Sequence, residues 1–164
     1  MTELVGKKIL ITGASSGIGK VTAAYLAKQG AEVVATGRNE DSLKELAAEH
    51  GIKYVVGDLT QKGVSERVVN EAVELMGGLT TLVNCHGACK GAAADKTDLD
   101  NFMFHMNTNV ISVFETMQHA IPHLKKVKDG ASILNISSIV GLQSFPGVFS
   151  CTCLGTFSYL SVIY

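Results

Sequence analysis

The residues Thr12-Gly13-Ala14-Ser15-Ser16-Gly17-Ile18-Gly19 bring together the parts of a diphosphate cradle. Glycines at 13, 17 and 19 let the backbone turn tightly and come close to a pyrophosphate, and a helix starting here aims free N–H groups and a partial positive charge at it. A glycine-rich turn alone is equally a plain connector. Its weight comes from its place, after the apolar run from Lys8 to Thr12 and before a helical pattern. Sulfur chemistry is the other possibility, from Cys85, Cys89, Cys151 and Cys153. These four make no disulfide framework of the kind a small chain needs for stability. Cys85-His86-x2-Cys89 and Cys151-x-Cys153 could converge on a metal if they follow neighbouring strands, but neither spacing matches a zinc pattern, so no metal is expected. His119 and His123 flank Pro122 on an amphipathic segment and are expected to be structural or surface residues.

The elements that must position the glycine turn alternate. Lys8 to Thr12 reads as a buried strand and Lys20 to Gln29 as a helix ended by Gly30; Glu32 to Thr36 is a second strand. Asn39 starts a helix that Gly51 stops, Lys53 to Val56 is strand three, and a helix from about Lys62 to Met76 ends at Gly77-Gly78. Thr81 to Asn84 makes strand four, helical segments span roughly Leu99 to Lys126, and Ala131 to Ile136 makes strand five. Such alternation implies an α/β fold with parallel strands and right-handed crossovers. The expected order, 3-2-1-4-5, is that of a doubly wound, Rossmann-like sheet, with a ligand crevice where strands one and four diverge.

Composition narrows the partners. With 46% hydrophobic residues in 164, the chain can build one cored domain. A net charge of −1 without blocks of like charge argues against nucleic acid. No apolar run reaches the length of a membrane span, and the opening residues lack a signal peptide's pattern, so a cytoplasmic location is expected.

Further along come Asp58 in Gly57-Asp58-Leu59, Asn84-x-x-Gly87, Asn109, and Asn135-Ile136-Ser137-Ser138. In this order, and with the glycine turn, the motifs resemble those of the short-chain dehydrogenase/reductase family over about residues 5 to 150. The resemblance implies that Thr12, Gly13, Ser15, Ser16, Gly17, Ile18 and Gly19 meet the cofactor's pyrophosphate and adenosine ribose. It implies that Asp58 and Leu59 meet the adenine, and that Asn84 and Gly87 form the turn after strand four. Within that turn Cys85 and His86 replace the family's Asn and Ala; His86 is either a tolerated packing substitution or a group that relays protons or touches substrate. At the end of strand two, where a carboxylate would select NAD, stand Gly37 and then Arg38. A guanidinium there can clamp a 2′-phosphate in charge-assisted hydrogen bonds of about 1.5–3 kcal/mol each, so NADP(H) is expected over NAD(H). The plain alternative is a solvated arginine at a helix start.

The family's reaction, hydride exchange with a small-molecule alcohol or carbonyl, needs a tyrosine and a lysine four residues later, on one helix face. The lysine lowers the tyrosine's pKa from about 10 so that the phenol can exchange a proton with substrate. Ser138 corresponds to the substrate-polarising serine and Asn109 to the asparagine that supports the lysine through water. The expected tyrosine and lysine positions hold Cys151 and Gly155, and the last lysine of the chain is Lys128. Family members run longer, with two more strands and a substrate loop, and often form homo-oligomers. The resemblance thus divides the chain into a NAD(P)-binding domain over 1–150 and a divergent apolar tail over 151–164, incomplete on the C-terminal side. Phe157, Tyr159, Leu160, Val162 and Ile163 give the tail a strand-like composition suited to patching the edge of strand five. An abrupt loss of resemblance after Ser150 is what a splice form, a shifted reading frame or a mistaken gene model produces. Two functions follow, an NADP-dependent oxidoreductase impaired by the missing pair or a non-catalytic nucleotide-binding or interaction protein, with a redox or metal protein built on the cysteines as a third reading.

Overall fold

A computed structural model describes residues 4–143 and 145–151. The tail over 152–164, Gly155 included, lies outside the described residues. Five strands form one sheet: β1 (Lys8–Thr12), β2 (Glu32–Gly37), β3 (Lys53–Val56), β4 (Thr81–Asn84) and β5 (Ser132–Asn135). The order is β3-β2-β1-β4-β5 and every pairing is parallel. Between the strands run α1 (Gly17–Lys28), α2 (Glu40–His50), α3 (Val64–Met76), α4 (Leu99–Met106) and α5 (Ser112–Leu124). A π-helical turn, Asn107–Ile111, joins α4 to α5.

The central strands read as unbroken apolar runs because helices cover both of their faces. Leu10, Val34, Leu82 and Ile133 point to one side and pack with Val68, Val69 and Ala72 of α3 and Leu124 of α5. Ile9, Ile11, Val33 and Ala35 point to the other and pack with Ala23 of α1 and Leu43 and Leu46 of α2. Over β4 and β5 that second face carries no described helix, and a groove of about 600 Å3 remains, lined among others by Leu26, Val83 and Leu134.

The expected elements all appear, with two helix starts displaced. α1 begins at Gly17 rather than Lys20, because two of the glycines read as turn residues already belong to its first turn. α3 begins at Val64 rather than Lys62, since Gly63 sits at φ +76 and delays the helix. α2 follows its local signals: the Asn39 side chain accepts the Ser42 N–H at 3.1 Å, and Gly51 ends the helix at φ +66. No helix among the described residues is long and apolar enough to cross a membrane.

Candidate functional site

The C-terminal ends of β1 and β4, where the chain winds away to opposite sides, open on a crevice. At one end lies a cavity of about 300 Å3 bounded by the β1–α1 turn (Gly13, Ser15 to Gly19), by Gly37 and Arg38, and by Asp58, Leu59, Gly87 and Thr108. The helix entering it, α1, has no side-chain cap at Ser16 and no acidic residue in its first turn. This sets it apart from α2 and α4, whose first N–H groups are accepted by Asn39 and Asp98. Its free N–H groups and dipole are therefore unopposed, as an anion site requires.

The glycines are required by close approach. A Cβ on Gly13, at φ +65, would lie 2.8 Å from His86 backbone atoms, and one on Gly19 would lie 2.5 Å from the Gly13 carbonyl oxygen. Gly37 has the same constraint, since a Cβ there would meet Ser15 Oγ at 2.7 Å. Arg38 is exposed and borders a second, open cleft with Ser15, Ser16, Asn39, Glu40 and Ser42. Burial alone would raise the pKa of Asp58, but hydrogen bonds from the Thr60 hydroxyl (2.7 Å) and amide (3.1 Å) and the charge of Arg38 outweigh it and hold the carboxyl below its ordinary value.

Thr12 and His86 tie the crevice floor together. The Cys85 and His86 amides donate to Thr12 Oγ1 at 3.1 and 3.3 Å, and His86 Nδ1 lies 2.6 Å from the same oxygen. His86 Nε2 lies 2.8 Å from Ser112 Oγ, whose own proton goes to the Thr108 carbonyl. Ser112 can then only accept, so Nε2 carries the imidazole proton and Nδ1 accepts from the Thr12 hydroxyl. Burial pushes the His86 pKa down from 6.5 to about 4. A neutral ring with both nitrogens committed joins β1, the β4 turn and α5, which is the packing reading of this residue.

A stability prediction follows. Between the folded value of about 4 and the ordinary 6.5, the unfolded chain takes up a proton that the folded chain refuses. Stability from this group is intact above the upper value, declines as pH falls through the window, and is lower by about 3 kcal/mol at its acid end. Urea midpoints measured down this window should fall in the parent protein, and the His86→Ala variant should show a flatter slope; equal slopes would contradict the assignment.

The other end of the crevice is a cavity of about 360 Å3 whose lining includes Asn84, Asn109, Asn135, Ser138, Cys89 and Cys151. Asn84 donates from Nδ2 to Asn135 Oδ1 at 2.9 Å, while its own buried Oδ1 has no hydrogen-bond partner among the described residues. Such an acceptor at a cavity wall suits a ligand donor. Asn109, on the π-helical turn, accepts the Ala88 amide and donates to the Ala88 carbonyl, both at 2.9 Å, and so clamps the loop after β4. Ser138 is exposed at the rim, its Oγ accepting the Val140 amide at 3.4 Å. All the residues singled out in the sequence as site candidates thus border the two adjoining cavities, except Thr12, which braces their floor from below.

Two cysteine expectations need correction. A disulfide does form, between Cys89 and Cys151, leaving Cys85 free with its thiol pKa pushed up by burial. Among the described residues convergence also occurs, but the third member is His105, not Cys85 or His86: ligand atoms of Cys89, His105 and Cys151 lie within 4.8 Å of one another, while Cys153 lies outside the described residues. Sequence spacing carried no sign of His105, which reaches the pair from α4. In this structure the trio has no open ligand position. The sulfurs are bonded to each other, His105 Nδ1 pairs with the Asn101 carbonyl at 2.7 Å, and Nε2 accepts the Lys90 amide at 2.8 Å.

Comparison with known proteins agrees with this architecture. The short chain dehydrogenase family profile matches residues 7–152. The 3-oxoacyl-[acyl-carrier-protein] reductase of Thermotoga maritima is 35% identical over 151 residues, covering 88% of this chain and 61% of that protein. A dehydrogenase/reductase from Sinorhizobium meliloti superposes with a TM-score of 0.86 at 30% identity, covering 94% of this chain and 63% of the other. A 3-oxoacyl (acyl-carrier-protein) reductase from Agrobacterium tumefaciens, solved with NADP bound, shares the fold with a TM-score of 0.88 at 23% identity, covering 96% of this chain and 62% of that one. The chain therefore spans somewhat over three fifths of the length of these relatives. Matched by the family's own profile across all five strands, it belongs to the short-chain dehydrogenase family.

Proposed function

We propose that this chain is an oxidoreductase-family protein that binds NADP(H) in preference to NAD(H), with hydride transfer to or from a small alcohol or carbonyl impaired in the sequence as it stands. The observation that carries the binding half is the uncapped N-terminus of α1 beside Gly13 and Gly19, with Arg38 at the mouth of the same cavity. These residues fit a dinucleotide: helix N–H groups and glycine backbone for the diphosphate, Asp58 and Leu59 for the adenine side, and, in the adjoining cavity, Asn84 Oδ1, which has no hydrogen-bond partner among the described residues, for a ligand donor. Gly37 supports the choice of NADP(H), because a carboxylate side chain there would collide with Ser15 at its first carbon, whereas Arg38 next to it is free to meet a phosphate.

When bound, the cofactor supplies the hydride exchange. The chain's own residues do the rest: Ser138 offers a hydroxyl to a substrate oxygen at the rim, and Asn109 holds the Ala88 loop in place. Among the described residues that line the two cavities there is no tyrosine or lysine to serve as proton donor. In the disulfide, Cys151 has no S–H to give, and no lysine stands near it in sequence. That observation also favours the second reading, a non-catalytic nucleotide-binding or interaction protein.

NADPH absorbance followed with a panel of aldehydes and ketones separates the two halves. General acid–base catalysis is worth about a hundred- to ten-thousandfold, so turnover should fall below that of an intact relative by at least that factor. Turnover at the relative's level would contradict the impairment and leave the binding assignment standing.

A further inference from the structure

Cys89 and Cys151 stand on two segments that are held side by side without help from either sulfur. His105 Nε2 accepts the amide of Lys90, the residue after Cys89, at 2.8 Å. The Ser150 hydroxyl, just before Cys151, donates to the Asn101 side-chain oxygen at 3.0 Å. Asn101 and His105 are one turn apart on α4 and are themselves joined, His105 Nδ1 donating to the Asn101 carbonyl. Ala92 and Val148 form a parallel bridge, with the Phe149 amide 3.2 Å from the Ala92 carbonyl. The segments approach so closely that a Cβ on Gly91 would lie 3.0 Å from the Gly147 oxygen. This scaffold brings residues 62 apart in sequence to a Cα–Cα distance of 6.0 Å, within the ordinary span of a disulfide. Bond closure becomes local, and the effective concentration of one sulfur at the other is high.

Access to the two sulfurs is unequal. Cys89 is exposed, whereas Cys151 is only 5% exposed, and both line the cavity at the substrate end of the crevice. We propose that Cys89 and Cys151 form a reversible thiol–disulfide exchange site in the crevice wall, taking small-molecule thiols and disulfides at Cys89. In the reducing direction a thiolate attacks Cys89 Sγ, the S–S bond breaks, and its electron pair leaves on Cys151 Sγ, which takes up a proton. A second thiolate attacks the small-molecule sulfur of the adduct, releasing Cys89 thiolate. Two thiols become one disulfide while the protein disulfide becomes two thiols. Oxidation by a small disulfide runs the same steps backward.

The test is to equilibrate the whole chain across graded ratios of reduced to oxidised glutathione, quench with acid, alkylate, and map the peptides. At the oxidising end two of the four cysteines, Cys89 and Cys151, should lose alkylation and appear crosslinked; at the reducing end both should be alkylated. The Cys151→Ser variant should accumulate glutathione on Cys89, and Cys89→Ser should leave Cys151 unmodified. Both cysteines alkylated at every ratio, a crosslink to Cys85 or Cys153 instead, or a bond that persists at the reducing end would overturn the proposal. These wild-type outcomes decide the matter even if a variant fails to fold.

Discussion

Replacing Gly19 by alanine is expected to abolish measurable NADPH binding and to destabilise the domain. The new Cβ would lie 2.5 Å from the Gly13 carbonyl oxygen and 2.8 Å from the Gly13 carbonyl carbon. Both atoms are backbone, so no side-chain rotation relieves the overlap. The first turn of α1 has to back away from the end of β1, and the N–H groups that would face a diphosphate move with it. Overpacking of this sort costs about 1–3 kcal/mol, which is several degrees of melting temperature for a domain of this size. Gly51→Ala, at the end of α2 and outside both cavities, makes the control. Its added Cβ meets nothing within 4 Å, although φ +66 charges it about 1–2 kcal/mol of backbone strain. Thermal melts and NADPH titrations of the two variants should therefore separate, with comparable stability loss but binding lost only at Gly19. Binding retained by Gly19→Ala would place the diphosphate elsewhere.

The second large effect is selective. Arg38→Ala should weaken NADPH binding by roughly ten- to a hundredfold, the loss of one charge-assisted contact, and change NADH binding by less than about twofold. Because Arg38 is exposed, the NADPH penalty should shrink as ionic strength rises. Glu40, beside it at the start of α2, does not cancel the guanidinium, since its carboxylate pairs with Lys44 at 2.9 Å. Arg38→Lys should recover part of the loss, keeping the charge without the planar fork. Equal losses for both cofactors would remove the 2′-phosphate from Arg38.

Much of this is legible in the sequence. The strands from Lys8, Glu32, Lys53 and Thr81 each open on one polar residue that is not buried and run on into an apolar stretch, so the step from polar to apolar marks where each strand starts. Glycine is harder to read: it marks a turn in sequence, yet Gly17 and Gly19 lie inside α1, Gly17 because of its φ of +52 and Gly19 because the backbone of Gly13 comes too close for a side chain. The π-helical turn at Asn107–Ile111 leaves no trace in hydrophobic periodicity; it places Asn109 against Ala88, a contact across 21 residues. The same limit hid the Cys89–Cys151 pair. Its partners meet through α4 and the Ala92–Val148 bridge, which no local spacing encodes. His86 could be placed at the crevice from sequence, but its role as a neutral tie depended on Thr12 and Ser112, residues 74 and 26 positions away.

The central claim is that this crevice is a cofactor site with a preference for the 2′-phosphate. Calorimetric titration of the folded chain with NADPH, and separately with NADH, tests it most directly. The account predicts one saturable site per chain with NADPH held at least about tenfold more tightly. No heat of binding from a sample shown to be folded, or equal affinity for the two cofactors, would contradict it.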